Sequence, residues 1–374
     1  MMNIGQITRA SAIATLITLA ACEVVDNDAA TSKQDTTAAA RVVPDSAAGT
    51  VVPDSVTAAQ PASADSAAPT LAPDDTGVVR LYPPEARRGG VIFALAEGLT
   101  TATPRCTWKS APIPCYTTGE GTLVTIPLPA DDDAGTFTLT FDRPNGKIVR
   151  QIAVADREFP RELILLTDSL YKRATSTKEI ARDARAVKGI ASLESPERRW
   201  SGRWREPVSG MKSTGYGVER YYYRASDSTR SIRLDAQSRT RATFGGDTSD
   251  VAFTGAPSWR HAGIDLPARR GASITAPASG VVIDVGDYVL SGRTLLIDHG
   301  QGVVSAYFHL DTALVSKGDI VKVGERIARV GSTGLATGPH LHYGLYLHGK
   351  DVDPVAWRDM PNWMIASGDS ATKN

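Results

Sequence analysis

The sequence predicts a mainly β protein: an immunoglobulin-like β-sandwich, a short connecting helix, then a curved antiparallel sheet. Three observations predict it. Between Val78 and about Leu166, short alternating apolar runs are separated by turn signals at the spacing of a small sandwich. One following stretch has helical rather than alternating spacing. Beyond Trp204 the alternation resumes, with Gly-rich turns.

The sandwich, residues 77–166, is read from Val91-Ile92-Phe93-Ala94-Leu95, Leu123 to Leu128 and Thr136 to Phe141. Gly89-Gly90, Asp131-Asp132-Asp133 and Pro144-Asn145-Gly146 punctuate these runs. No titratable cluster stands out, so a positioning or binding role is expected. Residues 167–203 form the connector, with a helix over about Lys178 to Ile190 that places Ile180, Ala184 and Val187 on one face. In residues 204–360, strands are expected at Gly280 to Val285, Thr294 to Asp298, Val303 to Phe308 and Ile320 to Val323. The turn His299-Gly300-Gln301-Gly302 joins two of them as a hairpin. Residues 361–374 read as a tail.

The N-terminus points to export. Arg9 precedes an apolar run from Ala10 to Ala21, which at about 12 residues is too short to span a ~30 Å bilayer as a helix. The run ends in Leu19-Ala20-Ala21-Cys22. This resembles the lipobox of bacterial lipoproteins, implying a signal peptide over 1–22 and lipidation at Cys22. Glu23 follows, and by analogy with lipoproteins an outer-membrane anchor is preferred to an inner-membrane one.

Residues 23–76 lack Phe, Trp and Tyr and repeat Val-Val-Pro-Asp-Ser. Such a segment cannot offset its chain entropy by burial and reads as a disordered tether with a reach of roughly 40 Å. It carries nine acidic and two basic side chains, so residues 77–374 hold a net +6 within an overall charge of +0. A mildly basic body suits an anionic cell wall, or is simply a solvated surface; nucleic acid is not an expected partner. With Cys22 set aside, Cys106 and Cys115 remain as an even pair in an oxidising compartment, where a disulfide is expected to contribute roughly 2–3 kcal/mol.

All six histidines lie beyond residue 260: His261, His299, His309, His340, His342 and His348. His261 and Asp265 stand four residues apart beside Gly263, while His340 and His342 fall on one side of a strand. Together they offer His, Asp and His to a metal and leave a spare imidazole alongside. Three nitrogen and oxygen ligands with an open position suit catalytic zinc.

His261-Ala-Gly-Ile-Asp265, Tyr307-Phe308-His309-Leu310 and Gly331-Ser-Thr-Gly-Leu-Ala-Thr-Gly-Pro-His340-Leu-His342 resemble the three signature segments of lysostaphin-type zinc murein metallopeptidases, in order and spacing. The likeness covers roughly Trp204 to Trp357. Pro207 to Gly210 and Gly215-Tyr216-Gly217, followed by Arg220, resemble the family's entry strand. The resemblance implies His261, Asp265 and His342 as Zn2+ ligands and His309 and His340 as catalysts. His340 is then the favoured general base and His309 the group that orients water or stabilises the oxyanion, with the two roles exchangeable. The implied activity is hydrolysis of peptide cross-links in peptidoglycan stems, with a regulatory envelope protein as a further expected partner.

Two departures are visible. Gly344 stands where the family shows an acid, and about 40 residues are inserted between Arg220 and His261, beginning Tyr221-Tyr222-Tyr223 and holding Arg224, Arg230, Arg233, Arg239 and Arg241. The insert reads either as a cover for the substrate groove or as a surface loop. His299 and His348 read as structural. The alternative function is a catalytically silent wall-binding activator of another hydrolase. A lipoyl-type carrier fits the Val-Gly turns after Val315 but leaves the histidines unexplained.

Overall fold

A computed structural model describes residues 77–210, 212–224, 233–234, 242–243 and 259–366. The expected signal peptide, Cys22, the tether, most of the insert and residues 367–374 lie outside the described residues. No helix among the described residues is long and apolar enough to cross a membrane.

Alternation in residues 79–155 builds two stacked sheets. One is four-stranded, in the order Val79–Tyr82, Val91–Glu97, Gly121–Pro127, Cys115–Thr117. The other is five-stranded, in the order Ala86–Arg87, Gly146–Ala155, Gly135–Arg143, Cys106–Trp108, Ala111–Ile113. Ile92, Ala94, Val124, Ile126, Leu139 and Phe141 fill the space between them. A disulfide joins Cys106 to Cys115, so it ties one sheet to the other.

Val91–Glu97 is apolar at nearly every position because both of its faces are covered. Ile92 and Ala94 point into the sandwich, whereas Val91, Phe93 and Leu95 pack against Trp200, Trp204, Trp357 and Leu347. The three indoles meet edge to face at centroid distances of 5.5–6.0 Å. This aromatic core locks the sandwich onto the C-terminal sheet.

The connector holds two helices, Asp168–Ala174 and Thr177–Ala191, where the sequence predicts one. The first has no apolar stripe and so no periodic signal. The second buries Asp183, Val187 and Ala191, spaced by one turn each. Ile180 and Ala184 lie on the same side as Val187, less buried than it, and line a cleft together with it.

The C-terminal sheet runs Gly263–Pro267, His340–Leu347, Val303–Ala313, Gly292–Asp298, Gly280–Tyr288, Ile320–Val321. Its pairings are antiparallel, and the pair Ser273–Thr275 with Arg326–Val330 curls onto the far end of Val303–Ala313. Leu295, Ile297, Tyr307, Leu341 and Ile327 form the core beneath. Gly300, Gln301 and Gly302 all take positive φ (84°, 54° and 72°), the conformation the four-residue hairpin turn demands. The segment expected as an entry strand is instead a run of bends with one isolated bridge, Thr214 to Asp265. Pro207 and the glycines Gly210, Gly215 and Gly217 deprive it of a continuous ladder.

Candidate active site

Strand register brings the first side chains together. Asp265 lies directly across from His342 in the antiparallel pair Gly263–Pro267 and His340–Leu347. Ile264 and Leu341 alternate with them into the core. Gly263 is obligatory here: a Cβ at that position would stand 2.7 Å from His342 Nε2 and 2.5 Å from Tyr343 O. His261 enters from the turn before that strand, its backbone hydrogen-bonded to Val218 and Gly217.

The three candidate ligand atoms form a small triangle. His261 Nε2 lies 3.0 Å from Asp265 Oδ1 and 2.9 Å from His342 Nδ1, and the third edge is 3.1 Å. These are within a few tenths of an ångström of the ~3.3 Å edge of a tetrahedron built on zinc–ligand bonds of about 2.0–2.1 Å. All three residues are buried, and among the described residues this is the cluster able to hold a metal. His261 Nδ1 donates to Gly215 O at 2.7 Å, which leaves Nε2 as a lone pair. One proton on His342 Nδ1 cannot serve all three contacts. A shared cation satisfies them together.

Charge in the site is set by burial and by Arg220. Burial alone would raise the Asp265 carboxyl, but the adjoining His261 and His342 imidazoles hold it well below the usual carboxylate range. Its second oxygen accepts from Arg220 Nη2 at 2.6 Å, and Arg220 also reaches Glu162. Burial lowers His342 to about 4, against the pull of the Asp265 hydrogen bond. Its ring stacks on Phe308 at 5.1 Å.

His309 reaches the site through a backbone irregularity. By period-two alternation it would follow Tyr307 into the core. Instead the register slips between Arg293 and Leu295, His309 takes φ +61°, and its ring turns outward. Its centroid then lies 4.8 Å from His340 and 6.1 Å from His342. His309 Nδ1 donates to Thr333 O and His340 Nδ1 to Gly338 O, each at 2.8 Å. Both rings therefore hold Nε2 free as an acceptor, and His340 Nε2 stands 3.6 Å from Asp265 Oδ1. Burial, then the neighbouring imidazoles, lowers His309 to about 3, so it is neutral at neutral pH.

Of the five predicted residues, His261, His309 and His342 line one cleft, with Asp265 against His261 and His342 and His340 against His309, whereas His299 and His348 lie elsewhere. His299 is fully buried between Ser279 O and Ser305 Oγ, at 2.8 and 2.7 Å. His348 binds Glu194 Oε1 at 2.7 Å. The cleft measures about 510 Å³. Its other wall comes from residues whose sequence pattern signalled structure and not function: Ile180, Asp183 and Val187 of the connector, Asp131 and Asp132 of the sandwich, and Ser291. Asp131 and Asp132 read as turn residues, and nothing in their spacing reveals the cleft they border. Arg220, Tyr222 and Trp259 also line it, while residues 225–232, 235–241 and 244–258 of the insert lie outside the described residues.

Residues 259–354 match the model of Peptidase family M23. An uncharacterized metalloprotease of Haemophilus influenzae is 42% identical over 96 residues, covering 25% of this chain and 20% of that protein. The peptidoglycan DD-endopeptidase ShyB of Vibrio cholerae is 39% identical over 101 residues, covering 27% and 24%. The chain thus spans about a fifth to a quarter of the length of these curated relatives. The crystal structure of a putative peptidase M23 from Pseudomonas aeruginosa shares the fold, with a TM-score of 0.50 at 24% identity over 73% of this chain and 95% of that one. The three histidine-bearing segments and all five clustered side chains fall inside 259–354, and this part of the chain is a domain of Peptidase family M23.

Proposed function

We propose that the chain is a zinc-dependent endopeptidase hydrolysing peptide cross-links of bacterial peptidoglycan, with residues 204–360 as its catalytic unit. The observation that carries this reading is the triangle of His261 Nε2, Asp265 Oδ1 and His342 Nδ1 with two unligated imidazoles beside it. Zinc, when bound, supplies the Lewis acidity that activates water and polarises a scissile carbonyl.

The chain's own groups do the rest. Gly215 O fixes the tautomer of His261, and Arg220 orients the Asp265 carboxylate. His340 Nε2, free as an acceptor and close to Asp265, takes a proton from the attacking water and returns it to the leaving amine. His309 Nε2, left as an acceptor by the contact to Thr333 O, accepts from the attacking water and orders it from the other side. Phe308 and Leu335 in the cleft exclude bulk solvent around the reacting carbonyl.

Lipidation at Cys22 and the 23–76 tether would hold this unit in the cell envelope, facing a substrate that cannot diffuse. The outer membrane is the proposed anchor site, and the stem peptide the proposed target. The test uses purified protein and isolated sacculi. Wild type should carry one zinc per chain and convert dimeric muropeptides to monomers. His261→Ala and His342→Ala should lose stoichiometric zinc. His309→Ala and His340→Ala should keep it and lose activity by about 10²–10⁴-fold. Persistent dimers together with stimulation of an added amidase would favour an activator instead.

A further inference from the structure

The connector helix Thr177–Ala191 lies outside residues 259–354, yet it borders the same cleft as the metal triangle. Ile180, Ala184 and Val187 face Phe308 and His309 across the opening. Two polar contacts fasten the connector to the loops that orient His309. Asp183, only 4% exposed, accepts from Leu290 N at 2.9 Å. Arg173 Nη1 donates to Gly334 O at 3.0 Å.

Those loops are the ones His309 depends on. Its backbone N–H donates to Ser291 O at 2.8 Å, one residue from the atom Asp183 holds. Its ring donates to Thr333 O, one residue from the atom Arg173 holds. Leu335 N donates to Leu290 O at 2.7 Å and joins the two loops. Because His309 sits at φ +61°, its orientation is maintained by these loops and not by regular strand geometry. Ser291 Oγ, in the same cleft, is buried without a hydrogen-bond partner, a donor well placed for a substrate backbone carbonyl.

We infer that the connector helix is the second wall of the substrate cleft, that Asp183 is a positioning residue acting through Leu290 and Ser291 on His309, and that Ile180, Ala184 and Val187 select a peptide with a small apolar side chain beside the scissile bond. This rests on the peptidase reading above. The helix therefore completes the site, and the M23 domain does not carry its specificity alone.

The experiment compares Asp183→Ala, Asp183→Asn and Ala184→Leu in the full chain, using a purified cross-linked muropeptide dimer. Circular dichroism and zinc content establish that each variant is folded and loaded. Asp183→Ala should lower kcat by about 10–100-fold with KM within about twofold. Asp183→Asn, whose amide oxygen still accepts from Leu290 N–H, should recover most of that loss. Ala184→Leu should raise KM without lowering kcat. Long-range ¹H–¹⁵N spectra should show His309 as the Nδ1–H tautomer in wild type and as a tautomer mixture in Asp183→Ala. Unchanged turnover in both Asp183→Ala and Ala184→Leu overturns the proposal, and so does faster turnover in Asp183→Ala, which would make the helix an obstructing lid. If wild type leaves dimers intact, the peptidase reading fails, and an unaltered His309 tautomer in Asp183→Ala still overturns the positioning role.

Discussion

Adding one methyl group at Gly263 should dismantle the metal site while leaving the fold in place. A Cβ there stands 2.7 Å from His342 Nε2 and 2.5 Å from Tyr343 O, well inside the contact distance that real Cβ atoms adopt. Relief requires the ring to move by roughly 0.7 Å and the strand carbonyl by roughly 0.9 Å to reach ordinary contact, whereas metal sites tolerate about 0.2 Å in their bond lengths. Both obstacles belong to the strand that carries His342, so either movement opens the triangle, whose edges are 2.9–3.1 Å. The overpacking itself costs about 1–3 kcal/mol, which a nine-stranded sheet with a continuous core can absorb. Gly263→Ala should therefore remain folded, melt a few degrees lower and bind zinc far more weakly. Zinc affinity, measured by competition with a chromophoric chelator, and thermal melting of the chelated protein separate the two effects. Gly189→Ala is the control, because nothing lies within 4 Å of its would-be Cβ and alanine favours the helix by about 0.8–1 kcal/mol. Wild-type zinc affinity in a folded Gly263→Ala protein would refute the close-approach argument.

Further outcomes follow from buried groups away from the cleft. Burial lowers His299 to about 4, so the fold holds it neutral while the unfolded chain takes up a proton near pH 6.5. Its contribution is complete above pH 6.5 and is lost as pH falls toward 4, on the order of 3 kcal/mol; denaturant midpoints of His299→Asn should show a correspondingly flatter acid limb. Replacing Cys106 and Cys115 together by Ser should cost about 2–3 kcal/mol, read as a lower melting temperature. Trp357→Ala empties the aromatic core shared by the sandwich and the sheet, and should destabilise the protein by about 3–5 kcal/mol in chemical unfolding.

Much of the architecture was legible because it rests on short-range periodicity. Alternation located the strands near Leu123, Thr136, Gly280, Thr294 and Val303, and the structure extends several of them by a few residues at their ends. The helix over 178–190 was legible from its stripe, whereas Asp168–Ala174 has none and was missed. The continuous run at Val91 marks a strand covered on both faces, but only the packing of Trp200, Trp204 and Trp357 identifies what covers the second one. The expected entry strand failed because Pro207, Gly210, Gly215 and Gly217 resist a regular ladder.

The sequence by itself determined the chemistry: imidazoles confined to the last third, a carboxylate four residues from one of them, and a pair flanking Leu341 on a strand. It did not determine how they meet. Asp265 faces His342 across 77 residues through strand register, and His309 joins them only because a bulge and a positive φ reverse its side. Arg220 and Asp183 are further still from any local pattern, since each acts on a group that the chain reaches only after folding. Periodicity is a property of neighbouring residues, whereas register, bulges and the opposing wall of a cleft are settled by the packing of the whole sheet against its partners.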